Sequence, residues 1–287
     1  MKKLMTLVLA LALVLSLAAC GGTGNNTADN TANNTTNNTA DNGGDADTGD
    51  TGDASFTTVE EGKLHMSTNA QFPPYEMTTD DGGFEGIDVE IAGKIAEKLG
   101  LELVVDDMAF NAALTAAQTG QSDMVMAGVT VNEERLEVMD FSDTYATGVQ
   151  VVIVKEDSPI QTIDDLASAE MIGCQADTTG YIYCSYPPEE GGYGEDHVTA
   201  YDNGALAVMA LMNGQVDAVV IDNAPAQEFV KANEGLKILD TEFANEDYAI
   251  GFAKDNTALR DAVNDVLKEL IDDGTVQSII DKYIPAE

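Results

Sequence analysis

Helical and strand-like patterns of apolar residues alternate along the chain from residue 56 onwards. Ile87, Ile91, Ile95 and Leu99 recur every four residues and stop at Gly100, which predicts an amphipathic helix that a glycine ends. Comparable patterns predict further helices over 111–119, 203–212, 227–232 and most of 256–283. Short apolar runs predict strands over 101–105, 124–127, 151–154, 171–174 and 218–221. This alternation favours an α/β fold.

One internal repeat relates two parts of this region. Residues 116–128 read AAQTGQSDMVMAG and residues 210–222 read ALMNGQVDAVVID, so each has a helix end, then Gly-Gln-x-Asp, then an apolar strand. This alignment sets Gly128 opposite Asp222, both at the carboxyl end of a strand. Ligands of open α/β sheets bind beyond these strand ends, so two similar halves would present Gly128 and Asp222 to one cleft. The alternative is that two βα units are alike by composition alone.

The start of the chain follows a different pattern. A short basic segment precedes an apolar run over residues 4–17, and residues 17–20 read LAAC. An apolar run of this length is too short for a comfortable membrane span and fits a cleaved signal peptide. LAAC resembles the lipobox of bacterial lipoproteins, so we predict that residues 1–20 are a lipoprotein signal peptide and that Cys20 is lipidated. The alternative is an ordinary secretory signal with a chance cysteine.

Residues 21–55 consist almost wholly of Gly, Thr, Asn, Asp and Ala, with no large apolar side chain. Such a segment has little apolar surface to bury and cannot offset the entropy lost on ordering. We therefore predict a disordered tether that holds the remaining chain, residues 56–287, on the outer face of a membrane.

The charge of the chain narrows its range of functions. The 51 acidic and 13 basic side chains give a formal net charge of −38, which repels phosphate backbones and excludes a nucleic-acid partner. The chain has only two histidines, His65 and His197, and three cysteines. These leave little material for a metal centre or a histidine-based nucleophilic triad. We therefore predict no metal, no cofactor and no catalytic residue.

A glycine, a hydroxyl and a scarce cation follow the first of the two aligned strands. Gly128 would let the backbone approach a ligand, Thr130 offers a hydroxyl, and Arg135 offers a planar fork that suits a carboxylate. Arg135 is one of only two arginines in the chain. Its alternative role is that of a surface partner for the two glutamates that precede it.

Asp222 ends the second aligned strand, and a carboxylate at the end of a buried strand needs a partner. It could cap the helix that the following Asn-Ala-Pro suggests, or it could bind a cationic group of a ligand. An arginine at one strand end and a carboxylate at the other complement the two charged ends of an α-amino acid. Thr178 adds a hydroxyl at a probable helix start, which suits a ligand carboxylate.

Four stretches carry a resemblance to a known family: TNAQFPPY at 68–75, GIDVEI at 86–91, AGVTVNEER at 127–135 and FSD at 141–143. Together with Asp222, they resemble the family 3 extracellular solute-binding proteins, which are the polar amino-acid receptors of ABC importers. The resemblance covers essentially residues 60–285.

The resemblance implies a type II periplasmic-binding-protein fold, an α/β fold of two lobes joined by two hinge crossovers. Residues 56–147 and 245–287 would form lobe 1, and residues 148–244 would form lobe 2. Hinge closure would be absorbed near 146–150 and near 241–246.

The resemblance also implies a set of ligand-binding residues, namely Asn69, Phe72, Phe110, Gly128, Thr130, Arg135, Thr178 and Asp222. Arg135 would bind the ligand α-carboxylate with help from Thr130 and Thr178, and Asp222 would bind the α-amino group. Gly128 would contribute backbone contacts. The other three would line the side-chain pocket, although plain core packing is the alternative for both phenylalanines. Some relatives that bind basic side chains carry an acidic residue where this chain has Asn69, so the neutral Asn69 weakens, without excluding, a lysine or arginine ligand. The resemblance implies a polar amino-acid ligand, with glutamine and the basic amino acids as candidates.

Cys174 and Cys184 form the one pair of cysteines left if Cys20 is lipidated. An exported protein permits a disulfide between them. Two separately buried thiols are the alternative.

These observations favour a lipid-anchored, monomeric receptor outside the cytoplasm that delivers an amino acid to ABC permease subunits. An exported enzyme on the same scaffold, similar to the cyclohexadienyl dehydratases, is a second class. A sensory or partner-binding protein is a third. Neither histidine lies in a cleft motif, which weakens the enzyme class because catalysis needs a positioned acid or base.

Overall fold

The computed structural model describes residues 56–240 and 242–285. The predicted signal peptide, the predicted lipidation site Cys20, the predicted tether and Thr241 of the predicted hinge lie outside these residues. All the described residues belong to one compact unit, Gly52–Glu287. Within the described part of the chain, no helix has the length and apolar character needed to cross a membrane.

Eight α-helices form in the described residues: α1 Ile87–Leu99, α2 Phe110–Gln118, α3 Glu133–Val138, α4 Thr179–Ser185, α5 Gly204–Met212, α6 Asn223–Ala232, α7 Thr257–Asp272 and α8 Thr275–Tyr283. The strands of the same residues are β1 Lys63–Thr68, β2 Gln71–Phe72, β3 Glu76–Thr78, β4 Phe84–Glu85, β5 Glu102–Asp107, β6 Met124–Val125, β7 Met139–Lys155, β8 Ile172–Gln175, β9 Val198–Tyr201, β10 Ala218–Asp222, β11 Leu236–Ile238 and β12 Ala244–Ala253. The predicted α/β class is therefore confirmed.

Helix α1 shows how the apolar spacing produces local structure. Ile87, Ile91 and Ile95 are completely buried, because a four-residue spacing returns each side chain to the same face of a helix. The helix ends at Gly100, whose φ of 71° is left-handed, a conformation that glycine adopts without steric cost. The predicted helix and its end at Gly100 are confirmed.

Nine strands form one sheet in the order β5-β1-β6-β12-β7-β10-β8-β9, with β11 beside β7. β1 is parallel to β5 and β6, and we call these three the first strand group. β8 is parallel to β9 and β10, and we call these three the second strand group. The remaining strands, β2, β3 and β4, form a small separate sheet.

The two long strands β7 and β12 lie between the strand groups and run antiparallel to each other. Their pairing extends from Met139 opposite Ala253 to Gln150 opposite Ala244. A Cβ added at Gly148 of β7 would lie 2.2 Å from the hydroxyl oxygen of Tyr248 on β12, so a glycine is required there. The sequence predicted only the end of β7, over 151–154, and did not predict β12.

The buried apolar side chains form clusters around the sheet. The largest cluster contains side chains of α1 and α7 and also side chains of α5 and β10, so it spans both strand groups. A second cluster lies beside the second strand group and contains side chains of β7, β8 and β10. Each buried aliphatic side chain contributes about 1.5–3 kcal/mol to folding, so these clusters hold the strand ends in fixed positions.

Candidate ligand-binding site

A cavity lies at the carboxyl ends of β1, β6, β8 and β10. The cavity is lined by residues from both strand groups and their loops, namely Asn69, Phe72, Glu76, Phe110, Ala127, Gly128, Thr130, Arg135, Gln175, Thr178, Thr179 and Asp222. All eight ligand-binding residues predicted from the sequence are therefore brought together. Their individual roles as ligand contacts stay predictions.

Arg135 enters the cavity from the first turn of α3. Asn132 begins this helix, because its side-chain oxygen accepts the Arg135 backbone N–H at 2.8 Å. The guanidinium donates through Nη1 to the Thr130 carbonyl oxygen at 2.8 Å and through Nη2 to the Asp177 carbonyl oxygen at 3.3 Å. It also lies over the ring of Phe110, with 5.5 Å from Cζ to the ring centroid. Backbone carbonyls and an aromatic face thus fix its orientation.

The charge of Arg135 has no direct partner. The residue is only 8% exposed, and no carboxylate of the described residues lies within 4.0 Å of its guanidinium nitrogens. Burial lowers the pKa of Arg135, and the nearby carboxylate of Glu246 opposes this effect. The suggestion that Arg135 pairs at the surface with the glutamates before it is wrong. A buried guanidinium without a counter-ion suits a ligand carboxylate.

Asp222 faces the cavity from the end of β10. It precedes α6, but its side chain makes no capping hydrogen bond to that helix. Instead its carboxylate accepts hydrogen bonds from Tyr248 Oη and, at 2.8 Å, from Gln150 Nε2. Burial, together with the charge of Glu246, raises the pKa of Asp222 well above its usual range. The helix-cap alternative is therefore wrong, and a buried carboxylate faces the cavity from the second strand group.

Asn69 and Gln175 meet at another part of the lining. Gln175 Nε2 donates to Asn69 Oδ1 at 3.0 Å, and Asn69 Nδ2 donates to the carbonyl oxygen of Met108 at 2.9 Å. Both residues are buried, at 4% exposure for Asn69 and 5% for Gln175. Phe72 and Phe110 complete this part of the lining. Two side-chain amides and two aromatic rings suit a ligand with a polar end on an apolar stem.

The loop between β8 and α4 places two threonines on the lining. Thr178 begins α4, because its hydroxyl oxygen accepts the Tyr181 N–H, and this hydroxyl donates to the Gln175 carbonyl oxygen at 2.8 Å. Asp177 has a φ of 63° and an exposed side chain. The Asp177 carboxylate therefore lies in solvent, while its carbonyl oxygen accepts from Arg135.

Gly128 lies where only a glycine fits. Its φ is 55°, and an added Cβ would lie 2.8 Å from Cε1 of Phe72. Its N–H donates to Asp88 Oδ2 at 3.0 Å. Burial raises the pKa of Asp88 to about 6 and raises that of the adjacent Glu76 well above its usual range.

Four lining residues were not singled out from the sequence: Glu76, Ala127, Gln175 and Thr179. Thr179 is next to Thr178 in the sequence, and Gln175 directly follows the predicted strand 171–174, which are the signals that could have found them. Glu76 is completely buried, and neither of its carboxylate oxygens accepts a hydrogen bond. The pattern of apolar and polar residues around Glu76 does not predict this burial.

Cys174 and Cys184 are free thiols in the structure, and both are completely buried. Burial and a contact with Cys184 raise the pKa of Cys174 well above its usual range. The disulfide considered from the sequence is therefore not formed here, although the two thiols are neighbours. The described residues contain no group of three or more metal-ligating side chains that could hold an ion.

The chain is similar to a set of bacterial proteins. Residues 64–286 match the bacterial extracellular solute-binding proteins, family 3. The arginine-binding extracellular protein ArtP of Bacillus subtilis (strain 168) is 33% identical over 231 residues, which cover 78% of this chain and 87% of ArtP. The solved structure of an ancestral arginine-binding protein bound to glutamine is 35% identical, has a TM-score of 0.72, and covers 79% of this chain and 100% of that one. The ancestral amino acid-binding protein AncCDT-1, a precursor of cyclohexadienyl dehydratase, is 28% identical with a TM-score of 0.69, and covers 77% of this chain and 95% of that one.

Proposed function

This chain belongs to the bacterial extracellular solute-binding proteins, family 3, and on that premise we propose that it is the amino-acid receptor of an ABC importer. The family and the type II periplasmic-binding-protein fold predicted from the sequence are confirmed. Because the family is extracellular, the chain acts outside the cytoplasm.

One observation carries the proposal. Arg135 and Asp222 are buried, one is a base and the other an acid, and they line one cavity from its two sides. An α-amino acid places a carboxylate and an ammonium group on the same carbon, so one ligand can satisfy both residues. Loss of either ligand charge leaves a buried group unpaired, which costs about 2–5 kcal/mol. The site would therefore select α-amino acids over simple acids and simple amines.

The amides of Asn69 and Gln175 support a polar side chain on the ligand. An amide pair offers both donors and acceptors, which suit the amide of glutamine and also the guanidinium of arginine. ArtP is named as an arginine-binding protein, and the ancestral protein is described with glutamine bound. We propose that glutamine and the basic amino acids are the ligand candidates.

A thermal-shift screen tests the proposal. The purified protein would be heated with each of the twenty amino acids, ornithine and cystine, because a ligand that binds only the native state raises the melting temperature. We expect a clear shift for one or a few polar amino acids. A folded protein without a carried-over ligand that gave no shift with any of them would contradict the proposal.

The two strand groups support a closing motion. We propose that residues 56–147 with 245–287, and residues 148–244, act as lobes, and that β7 and β12 bend between them. A ligand that contacts both lobes only in the closed form shifts the population towards that form.

An enzyme on this scaffold is the second candidate, because AncCDT-1 is described as a precursor of cyclohexadienyl dehydratase. ArtP is named as a binding protein. We propose that this chain binds without turnover. Loss of a prephenate-like substrate on incubation with the protein would favour the enzyme instead.

For the segment before residue 56, we propose a cleaved signal peptide, a lipid on Cys20 and a tether that keeps the receptor near its permease. Replacement of Cys20 by serine should release the protein from the membrane fraction into the soluble fraction. Retention of the Cys20→Ser variant in the membrane would contradict the lipid anchor and leave the binding site untouched.

A further inference from the structure

Asp222 belongs to a group of four polar side chains that come from separate segments and are joined by hydrogen bonds. Gln150 Nε2, on β7, donates to Asp222 Oδ2 at 2.8 Å and to Glu246 Oε2 at 3.1 Å. Thr130 Oγ1 donates to the same Glu246 oxygen at 2.9 Å. The exposed fractions are 1% for Gln150, 4% for Thr130, 5% for Glu246 and 7% for Asp222. One amide group therefore links two buried carboxyl groups.

The donors that bond to the two carboxyl groups are neutral side chains, so they do not neutralise two negative charges. Two carboxyl groups that share one donor in a buried site resist simultaneous ionisation. Burial and the neighbouring Glu246 accordingly raise the pKa of Asp222 well above its usual range. The second oxygen of Glu246, Oε1, is buried and accepts no hydrogen bond. Among the described residues, the hydrogen-bond donors to this pair are all neutral side chains.

The other titratable groups that face the pair do not supply a cationic donor. Arg135 attracts Glu246 and Asp222 electrostatically, but its hydrogen bonds go to backbone carbonyls. Glu76 is itself a buried carboxyl group, and Asp88 lies beside it. The remaining groups are phenols that carry no positive charge, namely Tyr75, Tyr183 and Tyr248.

We propose that Glu246 is a positioning residue of the ammonium subsite whose charge helps to keep a proton on Asp222 until the ligand binds. This inference rests on the proposed amino-acid receptor function. When the ligand ammonium enters, this proton leaves to solvent and Asp222 becomes ionised. The ammonium keeps its own protons and takes the place of the one released. Binding therefore adds one positive charge to the subsite and removes one proton from it.

The exchange makes the affinity depend on pH. While the ligand-free pair is protonated, each unit of increase in pH should lower the dissociation constant about tenfold, because one proton must leave for each ligand bound. In the Glu246→Gln variant, the amide can still accept from Thr130 but no longer carries the second negative charge. The pKa of Asp222 is then raised by burial but no longer by Glu246, so the pH-dependent range of the dissociation constant should shift to lower pH.

Calorimetry in several buffers tests the exchange directly. L-glutamine and L-arginine would be titrated into the protein at pH 6 in buffers of different ionisation enthalpy, and the slope of the observed enthalpy gives the protons released. We expect about one proton per ligand for the unchanged chain and a smaller number for Glu246→Gln, in which burial alone raises the pKa of Asp222. Asp247→Asn is the matched control, since it removes an exposed carboxylate from the next position of β12, and it should release as many protons as the unchanged chain. Equal release by the unchanged chain and Glu246→Gln would overturn the proposal.

Infrared spectroscopy of the ligand-free protein separates this inference from the receptor function. A proton held on Asp222 predicts a C=O stretch from a protonated carboxyl group that is weaker in Glu246→Gln and unchanged in Asp247→Asn. Identical spectra for the unchanged chain and Glu246→Gln would overturn the inference even if amino acids bind. If the band differs but neither amino acid binds, the effect of Glu246 on the Asp222 proton stands and the receptor function fails for these two ligands.

Discussion

The side-chain amide of Gln175 donates a hydrogen bond of 3.0 Å to the side-chain carbonyl of Asn69. Asn69 follows β1 of the first strand group, and Gln175 ends β8 of the second, 106 residues further along the chain. Because both residues line the cavity, this bond places a polar pair from both strand groups where the ligand side chain would lie.

This pair should determine the ranking of ligands. Asn69→Asp adds a negative charge beside the proposed side-chain position, so we expect affinity for arginine to rise relative to glutamine by about tenfold, or roughly 1.4 kcal/mol. Gln175→Leu should weaken glutamine more than leucine-like ligands. Calorimetric dissociation constants for arginine and glutamine would measure both effects. A uniform loss for every ligand would contradict a role in side-chain recognition.

Arg135 should be essential for binding and nearly neutral for folding. Arg135→Ala is expected to raise the dissociation constant at least about 100-fold, because the ligand carboxylate would then be buried without its partner. Arg260→Ala is the control, since Arg260 pairs with Asp140 and Asp261 outside the cavity. Unchanged affinity in Arg135→Ala, measured by calorimetry on a cooperatively melting protein, would remove Arg135 from the site.

Replacement of Gly128 by alanine should lower both the stability of the protein and its affinity for the ligand. Gly128→Ala combines a left-handed φ, which costs about 1–2 kcal/mol for a residue with a Cβ, with the close approach to Phe72. Gly62→Ala is the matched control, because Gly62 has a φ of 80° but nothing lies within 4 Å of its added Cβ. Urea denaturation and calorimetry should show a loss of stability in both variants and a loss of affinity only in Gly128→Ala. Equal affinities in the two variants would contradict the assigned position of Gly128.

Asp88 should make the stability of the protein depend on pH. Burial raises the pKa of Asp88 from an ordinary 3.8 to about 6, so its contribution is present at low pH and is lost as the pH rises through 6. The gap corresponds to roughly 3 kcal/mol. Asp88→Asn should therefore gain unfolding free energy relative to the unchanged chain between pH 4 and pH 7, as measured by urea denaturation.

The exposed Asp80→Asn variant is the control for this experiment, and its difference from the unchanged chain should stay constant over the same range of pH. A constant difference for Asp88→Asn as well would show that Asp88 ionises as an exposed carboxylate does.

Cys174 and Cys184 should be present as thiols that react only after unfolding. Both are completely buried, and burial raises the pKa of Cys174, which disfavours the reactive thiolate. A thiol reagent should label neither residue in the folded protein and both in denaturant. A native mass lower by two hydrogens would instead show a disulfide between them.

The sequence predicted the site residues at strand ends better than the buried carboxyl groups Glu76 and Glu246. Gly128 and Asp222 directly follow apolar runs, so the repeat alone predicts that they lie at strand ends. Arg135 lies outside the repeat, seven residues after Gly128, in the short helix α3. Glu76 and Glu246 were not found, because their burial depends on how β3 and β12 pack against distant elements and not on a local pattern.

The two long central strands were also difficult to predict. β7 contains Asp140, Ser142, Asp143, Thr144 and Thr147 within its first half, so its apolar alternation is interrupted. Pairing with β12 holds this half in the sheet, and such long-range pairing leaves no signature in a short window of sequence. Helix α6 likewise begins at Asn223 and not at 227, because it follows directly from the end of β10.

The central claim is that Arg135 and Asp222 bind the two charged groups of one amino acid. Its most direct test is a calorimetric comparison of the amino acid that gives the largest thermal shift with its decarboxylated amine and its deaminated acid. The account predicts that each analogue binds at least about 100-fold more weakly than the amino acid, since each leaves one buried charge unpaired. An analogue that binds as tightly as the amino acid itself would contradict the account.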